Sequence, residues 1–208
     1  MQRNIKKSTK LDILNTAIDL FSKKGFSSVS IRDITRRVGI KESSLYNHYK
    51  SKDEILVTIF DLLESKFQKS PELEERVKSI NAEYEIGSIW MTHFEQFKKQ
   101  LIAPQLQKLL KILIMEQFRN KRARKIILTH LIEEPVKFTE KILKKIFEAK
   151  HIKADPVILA VEFQYPLITM KNEYILRKQD NLDVQSVEKK MKDHIVFFTN
   201  LLNIKSKD

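Results

Sequence analysis

Cysteine is absent from this chain of 208 residues, and glycine and proline are scarce, with 3 and 5 residues respectively. Without cysteine there can be no disulfide, no thiolate metal site and no cysteine nucleophile. The absence also fits a reducing compartment, so we expect a cytoplasmic protein. So few glycines and prolines disfavour turn-rich all-β folds and glycine-lined phosphate cradles, and they favour helices.

Long apolar runs are missing as well. The longest uncharged one, PVILAV at residues 156–161, is far too short to span a bilayer. The basic start, MQRNIKKSTK, is not followed by the apolar region of a secretory signal. We therefore expect neither a membrane partner nor a cleaved leader in this sequence.

The motifs of common catalytic and metal sites are not found either. The five histidines never pair at ligand spacing, and the sequence contains no H-E-x-x-H, G-x-S-x-G, P-loop or G-x-G-x-x-G pattern. Glu133, Glu134 and Glu162 lie beside apolar helix stretches, but such glutamates are usually solvated or ion-paired. His93 and His130 lie on mostly apolar faces, where a histidine is more often a core residue than a ligand. We predict no enzymatic activity, no catalytic or metal-ligating residues and no cofactor.

Positive charge is in excess, with a formal net charge of +12 at pH 7. Residues 1–60 hold 12 Lys and Arg against 6 Asp and Glu, whereas the other 148 residues hold 27 against 21. The density of net positive charge is therefore more than twofold higher in the first quarter of the chain. This distribution favours nucleic acid or another anionic surface as a partner, although lysine-rich surfaces are also common in proteins without one.

The hydrophobic residues repeat with a helical period nearly everywhere, so the sequence predicts an all-α fold. A first helix carries Leu14, Ala17, Ile18 and Phe21 on one stripe. Two lysines followed by Gly25 predict its end, because cations favour the last turn of a helix and glycine favours the residue after it.

Three further helices are predicted close behind the first. Ser30 and Asp33 predict a serine N-cap with an acidic residue three positions on, and Gly39 ends that short helix. A third helix covers about residues 41–49, and SKDE at residues 51–54 predicts the capping box of a longer fourth. Two short helices joined by a glycine turn and braced by a third are typical of a helix-turn-helix, whose second helix enters the DNA major groove. The same pattern fits a small unit with a purely structural role.

The rest of the chain is predicted as helices joined by short breaks. Pro104 interrupts one apolar stripe, and Pro135 either starts or kinks a long helical pattern over residues 126–147. The last two helices differ in pattern. The first, about residues 157–176, is apolar on several faces, whereas the second, about residues 184–202, has one narrow near-heptad apolar seam. Both patterns fit core packing within one chain, and both fit a two-fold interface between copies.

Several motifs of the first quarter follow one another in order. They are A-x-x-L-F-x-x-x-G-F in the first helix and turn, S-I-R-D-I in the second helix, the glycine turn, and L-Y-x-H-Y-K-S-K-D-E-I at the third and fourth. Over about residues 11–60 they resemble the N-terminal domain of the tetracycline-repressor (TetR) family of bacterial transcription regulators. Beyond residue 60 the resemblance is only architectural.

The resemblance implies an all-α fold in two domains. Residues 1–52 would form a three-helix helix-turn-helix DNA-binding domain, and residues 53–208 a larger helical domain for effector binding and dimerisation. The implied function is that of a homodimeric repressor, released from a palindromic double-stranded DNA operator by a small-molecule effector. Two alternatives stay open: a DNA-binding protein of this fold that has no effector, and an enzyme or small-molecule-binding protein with a vestigial DNA-binding head.

By the same resemblance, nine residues contact DNA. Ser30 is expected beside a phosphate at the start of the second helix, and Arg32 is expected beside a base edge. The residues that match phosphate-binding positions are Tyr46, His48 and Lys52. The candidates for reading bases from the third helix are Glu42, Ser43, Ser44 and Asn47.

Two positions at the start of the third helix depart from the family pattern. Serine or threonine often caps the recognition helix, whereas this chain has Lys41. Glu42 either accepts a hydrogen bond from a cytosine N4 or is repelled by phosphate and excludes wrong sequences.

The effector pocket is expected, by family analogy, among the middle helices of residues 70–175, with an apolar or aromatic effector preferred. Candidate lining residues are Trp90, Phe94, Phe97, Met115, Phe118, Tyr165 and Met170. The dimer interface is expected on the last two helices. Its candidate residues are Tyr174, Val187, Met191, Ile195, Phe198 and Leu202.

Overall fold

A computed structural model describes residues 9–67, 75 and 86–205, without the side chains of residues 86, 100–102 and 203–205. These parts of the chain contain helices and turns and no β-strand. The predicted all-α fold, with an N-terminal helix-turn-helix and a further helical domain, is therefore confirmed over the described ranges.

Ten α-helices and one π-helical segment make up the described chain. The π-helical segment, Ile127–Glu133, lies between the seventh and eighth α-helices. The α-helices are α1 (Thr9–Lys24), α2 (Ile31–Val38), α3 (Glu42–Tyr46), α4 (Lys52–Glu64), α5 (Ile86–Ile102), α6 (Pro104–Glu116), α7 (Lys121–Ile126), α8 (Glu134–Lys150), α9 (Pro156–Gln179) and α10 (Gln185–Lys205).

Contacts within the chain divide it into two compact units. The first consists of Met1–Gln68 and Ala103–Ile127, and the second of Lys69–Ile102 and Leu128–Asp208. By packing, α4 belongs to the first unit, where it contacts both α1 and α6. The functional boundary expected between residues 52 and 53 stays a prediction.

Helix α1 is the centre of the first unit, where it packs against α2, α4 and α6. Ile13, Ala17 and Phe21 are spaced four residues apart, so they lie on one face of the helix, and all three are fully buried. Leu45 of α3 and Ile59 of α4 are buried in the same unit. The predicted helical stripe of α1 is thus the core-facing side of the helix.

Ion pairs join α6 and α7 to the helices of the N-terminal region. Lys108 Nζ of α6 lies 2.5 Å from Asp19 Oδ1 of α1. Arg122 of α7 pairs with two carboxylates of α4, those of Asp61 and Glu64. Helices distant in sequence therefore brace the helix-turn-helix within its own unit.

The second unit is built around α9, which packs against α8 and α10, and α10 also packs against α5. Trp90 of α5 stacks on Phe163 of α9 with ring centroids 4.0 Å apart. Phe163 also contacts Phe198 of α10 at 5.2 Å, edge to face. Large aromatic side chains therefore fill the space between these three helices.

Pro135 lies just after a π-helical segment in a continuous helical stretch. Helix α7, the π-helical segment and α8 follow one another without a break from Lys121 to Lys150, and Pro135 lies in the first turn of α8. Proline has no N–H and its ring crowds the preceding turn, and a π-helical segment accommodates this with wider hydrogen bonding. Pro104 instead begins α6, at a position where a missing N–H is tolerated.

No helix within the described ranges is long and apolar enough to cross a membrane.

Candidate nucleic-acid interface

The turn between α2 and α3 depends on a glycine backbone. Gly39 has φ 81° and ψ 33°, the left-handed conformation, and its N–H donates to the carbonyl of Thr35 at 2.9 Å. A Cβ at this position would meet no atom within 4 Å. The requirement for glycine is therefore one of backbone conformation, since space is available for a side chain.

The start of α2 is fixed by a reciprocal cap between Ser30 and Asp33. The Asp33 N–H donates to Ser30 Oγ at 3.1 Å, and the Ser30 N–H donates to Asp33 Oδ2 at 3.0 Å. Ser30 Oγ also donates to Asp33 Oδ2 at 2.6 Å, while Arg36 binds the other carboxylate oxygen at 3.1 Å. The side-chain hydrogen bond from Ser30, followed by its backbone hydrogen bond, lowers the pKa of Asp33.

This cap changes the expected role of Ser30. The hydroxyl is exposed but already bonded, and the Asp33 carboxylate lies at the same helix terminus. A phosphate there would compete with that carboxylate. Arg32, in the first turn of α2, is exposed and remains available for DNA.

The recognition helix α3 is shorter than the sequence pattern predicts. It begins at Glu42 and ends at Tyr46, whereas helix was expected to about residue 49. Lys41, at the N-cap, makes no side-chain hydrogen bond to the helix, and residues 47–48 form a turn. The helix lacks a side-chain cap at its start. It ends three residues before Tyr49, whose side chain is buried in the core.

Two buried residues hold α3 in place. Leu45 is 0% exposed and Tyr49 is 2% exposed. The Tyr49 hydroxyl donates to the Lys10 carbonyl at 3.4 Å, and the Lys10 ammonium lies 5.2 Å from the ring centroid. Burial raises the pKa of Tyr49. The predicted core roles of Leu45 and Tyr49 agree with these contacts.

The remaining residues of α3 and its following turn face outward. Ser44 and His48 are half-buried, between the core and the surface. The exposed side chains are those of Glu42, Ser43, Tyr46 and Asn47. Six of the nine residues expected to contact DNA therefore lie together on one short segment with accessible polar groups.

Lys52 has partners inside the domain. Its Nζ donates to the carbonyl oxygens of Phe26 at 2.9 Å and Val29 at 2.7 Å, and it lies 4.3 Å from the centroid of the Phe26 ring. An ammonium has three N–H groups, so two are occupied by the loop between α1 and α2. The sequence could not signal this contact, because its partners are 23 and 26 residues away.

The turn between α3 and α4 is fixed by Glu54. Its carboxylate accepts from the Lys50 N–H at 2.5 Å, and its own N–H donates to Ser51 Oγ at 3.1 Å. Ser51 is therefore the predicted N-cap of α4. In a standard capping box the Glu54 carboxylate would accept from the Ser51 N–H, whereas here it accepts from the Lys50 N–H, one residue earlier. This hydrogen bond orders the chain just after the recognition helix.

Three exposed basic residues near α3 were not among the predicted DNA contacts. Arg37, Lys41 and Lys50 are exposed, and none has an acidic partner within the described part of the chain. The excess of positive charge in the first quarter is the signal that could have identified them.

The expected effector residues lie in two separate units. Trp90 and Phe94 are each 4% exposed, and Phe97 lies 5.9 Å from the Tyr174 ring. In the same second unit, Tyr165 is exposed and Met170 half-buried. Met115 and Phe118 belong to the first unit, and Phe118 is 85% exposed. The structure thus brings Trp90, Phe94 and Phe97 together on α5.

The expected dimer residues are buried within a single chain. They pack into the second unit, and none is more than 5% exposed: Tyr174, Val187, Met191, Ile195, Phe198 and Leu202. The near-heptad seam of α10 is therefore its intrachain face. Apolar side chains of the same two helices that do face solvent include Tyr165, Leu176, Val196 and Phe197.

Comparison with known proteins assigns the helix-turn-helix region to a family. Residues 13–59 match the family described as bacterial regulatory proteins, tetR family. The negative transcriptional regulator IcaR of the icaADBC biofilm operon of Staphylococcus epidermidis is 49% identical over 43 residues, 21% of this chain and 23% of IcaR. The regulator AcrR of Shigella flexneri is 36% identical over 70 residues, 34% of this chain and 32% of AcrR. The chain thus matches about a third or less of these relatives' lengths.

A solved structure extends the similarity in fold to most of the chain. A structure described as a SmeT–triclosan complex superposes with a TM-score of 0.63 at 15% identity, covering 90% of each chain. The glycine turn, the buried anchors and the exposed polar segment define a helix-turn-helix DNA-binding protein. Residues 13–59 of the chain belong to the tetR family of bacterial regulatory proteins.

Proposed function

We propose that the protein is a homodimeric transcriptional repressor that binds a palindromic operator and is released from it by a small-molecule effector. The observation that carries the proposal is the exposed polar segment of residues 42–48, held by buried Leu45 and Tyr49. IcaR, which is 49% identical over 43 residues, is described as a negative regulator.

DNA recognition in this proposal divides between two sets of side chains. Bases are read by Arg32 and by the exposed polar residues of α3, which are short enough to lie in the major groove. Phosphates are bound from both sides of the groove. The phosphate set consists of Tyr46, His48, Lys52, Arg37, Lys41 and Lys50. Ser30 is left out of this set because the Asp33 carboxylate occupies the N-terminus of α2.

A second copy of the chain is required for a palindromic site. Two recognition helices related by a two-fold axis would lie about 34–36 Å apart, one turn of DNA. We assign the interface to the solvent-facing side of α9 and α10, where Tyr165, Leu176, Val196 and Phe197 are exposed. Exposed apolar side chains on adjacent helices are typical of such an interface.

The effector site is assigned to the second unit, on α5 and α9. SmeT, whose fold is similar, was solved with triclosan. An effector that favours a dimer with a different spacing of the DNA-binding units must weaken operator binding, and operator must weaken effector binding by the same factor.

The experiment starts from selection of DNA ligands out of a random duplex pool by the full-length protein. We expect an inverted repeat with half-site centres one helical turn apart, protected as a symmetric footprint. Tyr46→Phe and Asn47→Ala should weaken operator binding without changing thermal stability. An asymmetric single half-site would contradict the dimeric form of the proposal, and selection of no sequence would contradict it as a whole.

Effector release is tested separately on the selected operator. A library of small aromatic and apolar compounds is screened by thermal shift, and each stabilising compound is added to the protein–operator complex. We expect at least one compound to stabilise the protein and release DNA. If stabilising compounds leave operator affinity unchanged, the protein is a DNA-binding protein without effector control.

A further inference from the structure

Side chains of α5, α8 and α9 meet along one strip in the second unit. His93 of α5 contacts Phe138 of α8 edge to face at 5.1 Å. Trp90 of α5 stacks on Phe163 of α9. Gln164, the next residue of α9, donates from Nε2 to Thr139 Oγ1 of α8 at 2.6 Å. Three helices thus contribute aromatic and polar groups to the same region.

Two polar atoms of this strip are buried without a hydrogen-bond partner. They are the indole Nε1 of Trp90 and the amide Oε1 of Gln164, whose residues are 4% and 7% exposed. One is a donor and the other an acceptor. A buried polar group without a partner is unfavourable and is rare in native proteins. A ligand hydroxyl can accept a hydrogen bond from Trp90 Nε1 or donate one to Gln164 Oε1.

A lysine lies further along the same face of α9. Lys171 follows Gln164 by seven residues, which is about two helical turns, or roughly 10 Å along the axis. Its ammonium lies 5.2 Å from the centroid of the Phe97 ring of α5. No carboxylate of the described residues is within ion-pairing distance of it. Its side chain is half-buried, and partial loss of water from the ammonium lowers the pKa of Lys171 to about 8.

Two neighbouring lysines are either ion-paired or exposed, unlike Lys171. Lys98, beside Phe97 on α5, pairs with Glu188 of α10 at 2.9 Å, and the hydrogen bond to Glu188 raises the pKa of Lys98. Lys192 of α10 lies 5.8 Å from the Phe94 ring, but its side chain is exposed and hydrated. An ammonium that has lost part of its water is stabilised by a paired anion, so among these three lysines a bound anion would stabilise the half-buried Lys171 most.

We infer that the strip between α5, α8 and α9 binds a flat aromatic carboxylic acid with a hydroxyl group at its opposite end. The inference rests on the proposed effector function and names the chemical class of the effector. The carboxylate pairs with Lys171, the rings lie among Phe97, His93 and Phe138, and the hydroxyl bonds Trp90 Nε1 or Gln164 Oε1. Aromatic side chains at both ends favour a planar ligand.

The test uses 6-hydroxy-2-naphthoate, which carries these two groups at opposite ends of a fused ring pair, and its neutral carboxamide. Binding to the full-length protein is measured by calorimetry, and emission of Trp90, the single tryptophan of the chain, reports occupancy of the strip. We expect the carboxylate to bind at least about tenfold more tightly than the carboxamide, as for a charge-assisted hydrogen bond in a partly dry site.

Variants locate the preference at one residue. Lys171→Met should bind acid and amide about equally, whereas Lys171→Arg should keep the preference because its charge is retained. Lys192→Met is the matched control, since it removes an exposed lysine beside an aromatic ring of the same unit. A thermal melt of each variant confirms that it is folded.

The outcomes separate this inference from the proposed function. Equal binding of acid and amide by the wild type, a preference that survives Lys171→Met, or no binding of either probe overturns the inference. If operator release by a neutral compound is then still observed, the repressor proposal stands without it. Loss of preference in Lys171→Met alone, with quenched Trp90 emission, supports it.

Discussion

The ammonium of Lys52 lies 2.7 Å from the carbonyl oxygen of Val29, the residue that precedes the N-cap of α2. A lysine at the start of α4 therefore fixes the loop that orients the helix-turn-helix. Nζ also bonds the Phe26 carbonyl, so the contact closes the loop from both sides. Phosphate binding by the third N–H of Lys52 remains a prediction.

Replacing Lys52 by Met should destabilise the fold. Two charge-assisted hydrogen bonds are lost and two carbonyls of a part-buried loop lose their partner, so we expect a loss of roughly 2 kcal/mol in the free energy of unfolding. Urea denaturation measures it. Lys50→Met is the control: Lys50 is exposed, and its loss should weaken DNA binding while leaving stability unchanged. Equal stability of both variants would show that the Lys52 contacts contribute nothing.

Gly39→Ala should destabilise the turn before α3 by about 1–2 kcal/mol, because an L-residue at φ 81° is strained even where space is available. Gly39→Asn should cost less, since asparagine tolerates the left-handed region. Thermal melts of the wild type and both variants measure this order of stability. An alanine variant as stable as the wild type would argue that the turn rearranges.

Glu42→Ala should lower the ratio of operator affinity to non-specific affinity. If Glu42 reads a cytosine, Glu42→Ala should weaken operator binding by about 1–3 kcal/mol. Replacing the base pair that Glu42 contacts should then abolish this difference between wild type and variant. If Glu42 only excludes wrong sequences, the variant binds non-operator duplexes more tightly and does not bind the operator more weakly. Anisotropy titrations on the operator and on single-base variants separate these two results, and an unchanged ratio removes Glu42 from recognition.

Stability should depend on pH through Lys171. Because burial lowers its pKa to about 8 from the ordinary 10.5, the folded state disfavours the charged lysine. This cost is fully present below pH 8 and is relieved as pH rises towards 10.5. The wild type should therefore gain stability relative to Lys171→Met between these values. Glu188 and Lys98 pair with each other in both proteins, so their contributions cancel in the difference. A difference that does not vary with pH would contradict the shift.

Phe197→Glu should give monomers, because Phe197 is 61% exposed on the face assigned to the dimer. The adjacent residue is the control: Phe198 is 5% exposed, and Phe198→Glu should unfold the second unit. Light scattering gives the mass and circular dichroism the helix content. A dimer that persists in Phe197→Glu would place the interface elsewhere.

Local features of the sequence determined most of the first unit. The Ser30 cap, the Gly39 turn and the Ser51 start of α4 depend on neighbours within a few residues, and the helical spacing of Leu45 and Tyr49 predicted that both are buried. Short-range hydrogen bonds and helical spacing fix such features, so the family and the helix-turn-helix could be inferred from residues 11–60 alone.

Only the tertiary structure decided which face of each later helix is buried. The seam of α10 repeats regularly in the sequence, but periodicity does not say whether its partner is another helix of the same chain or a second copy. Packing against α5 and α9 commits Phe198 to the interior and leaves Phe197 outside. The contacts of Lys52 and Lys171 were equally invisible, because their partners are distant in sequence and only folding brings them together.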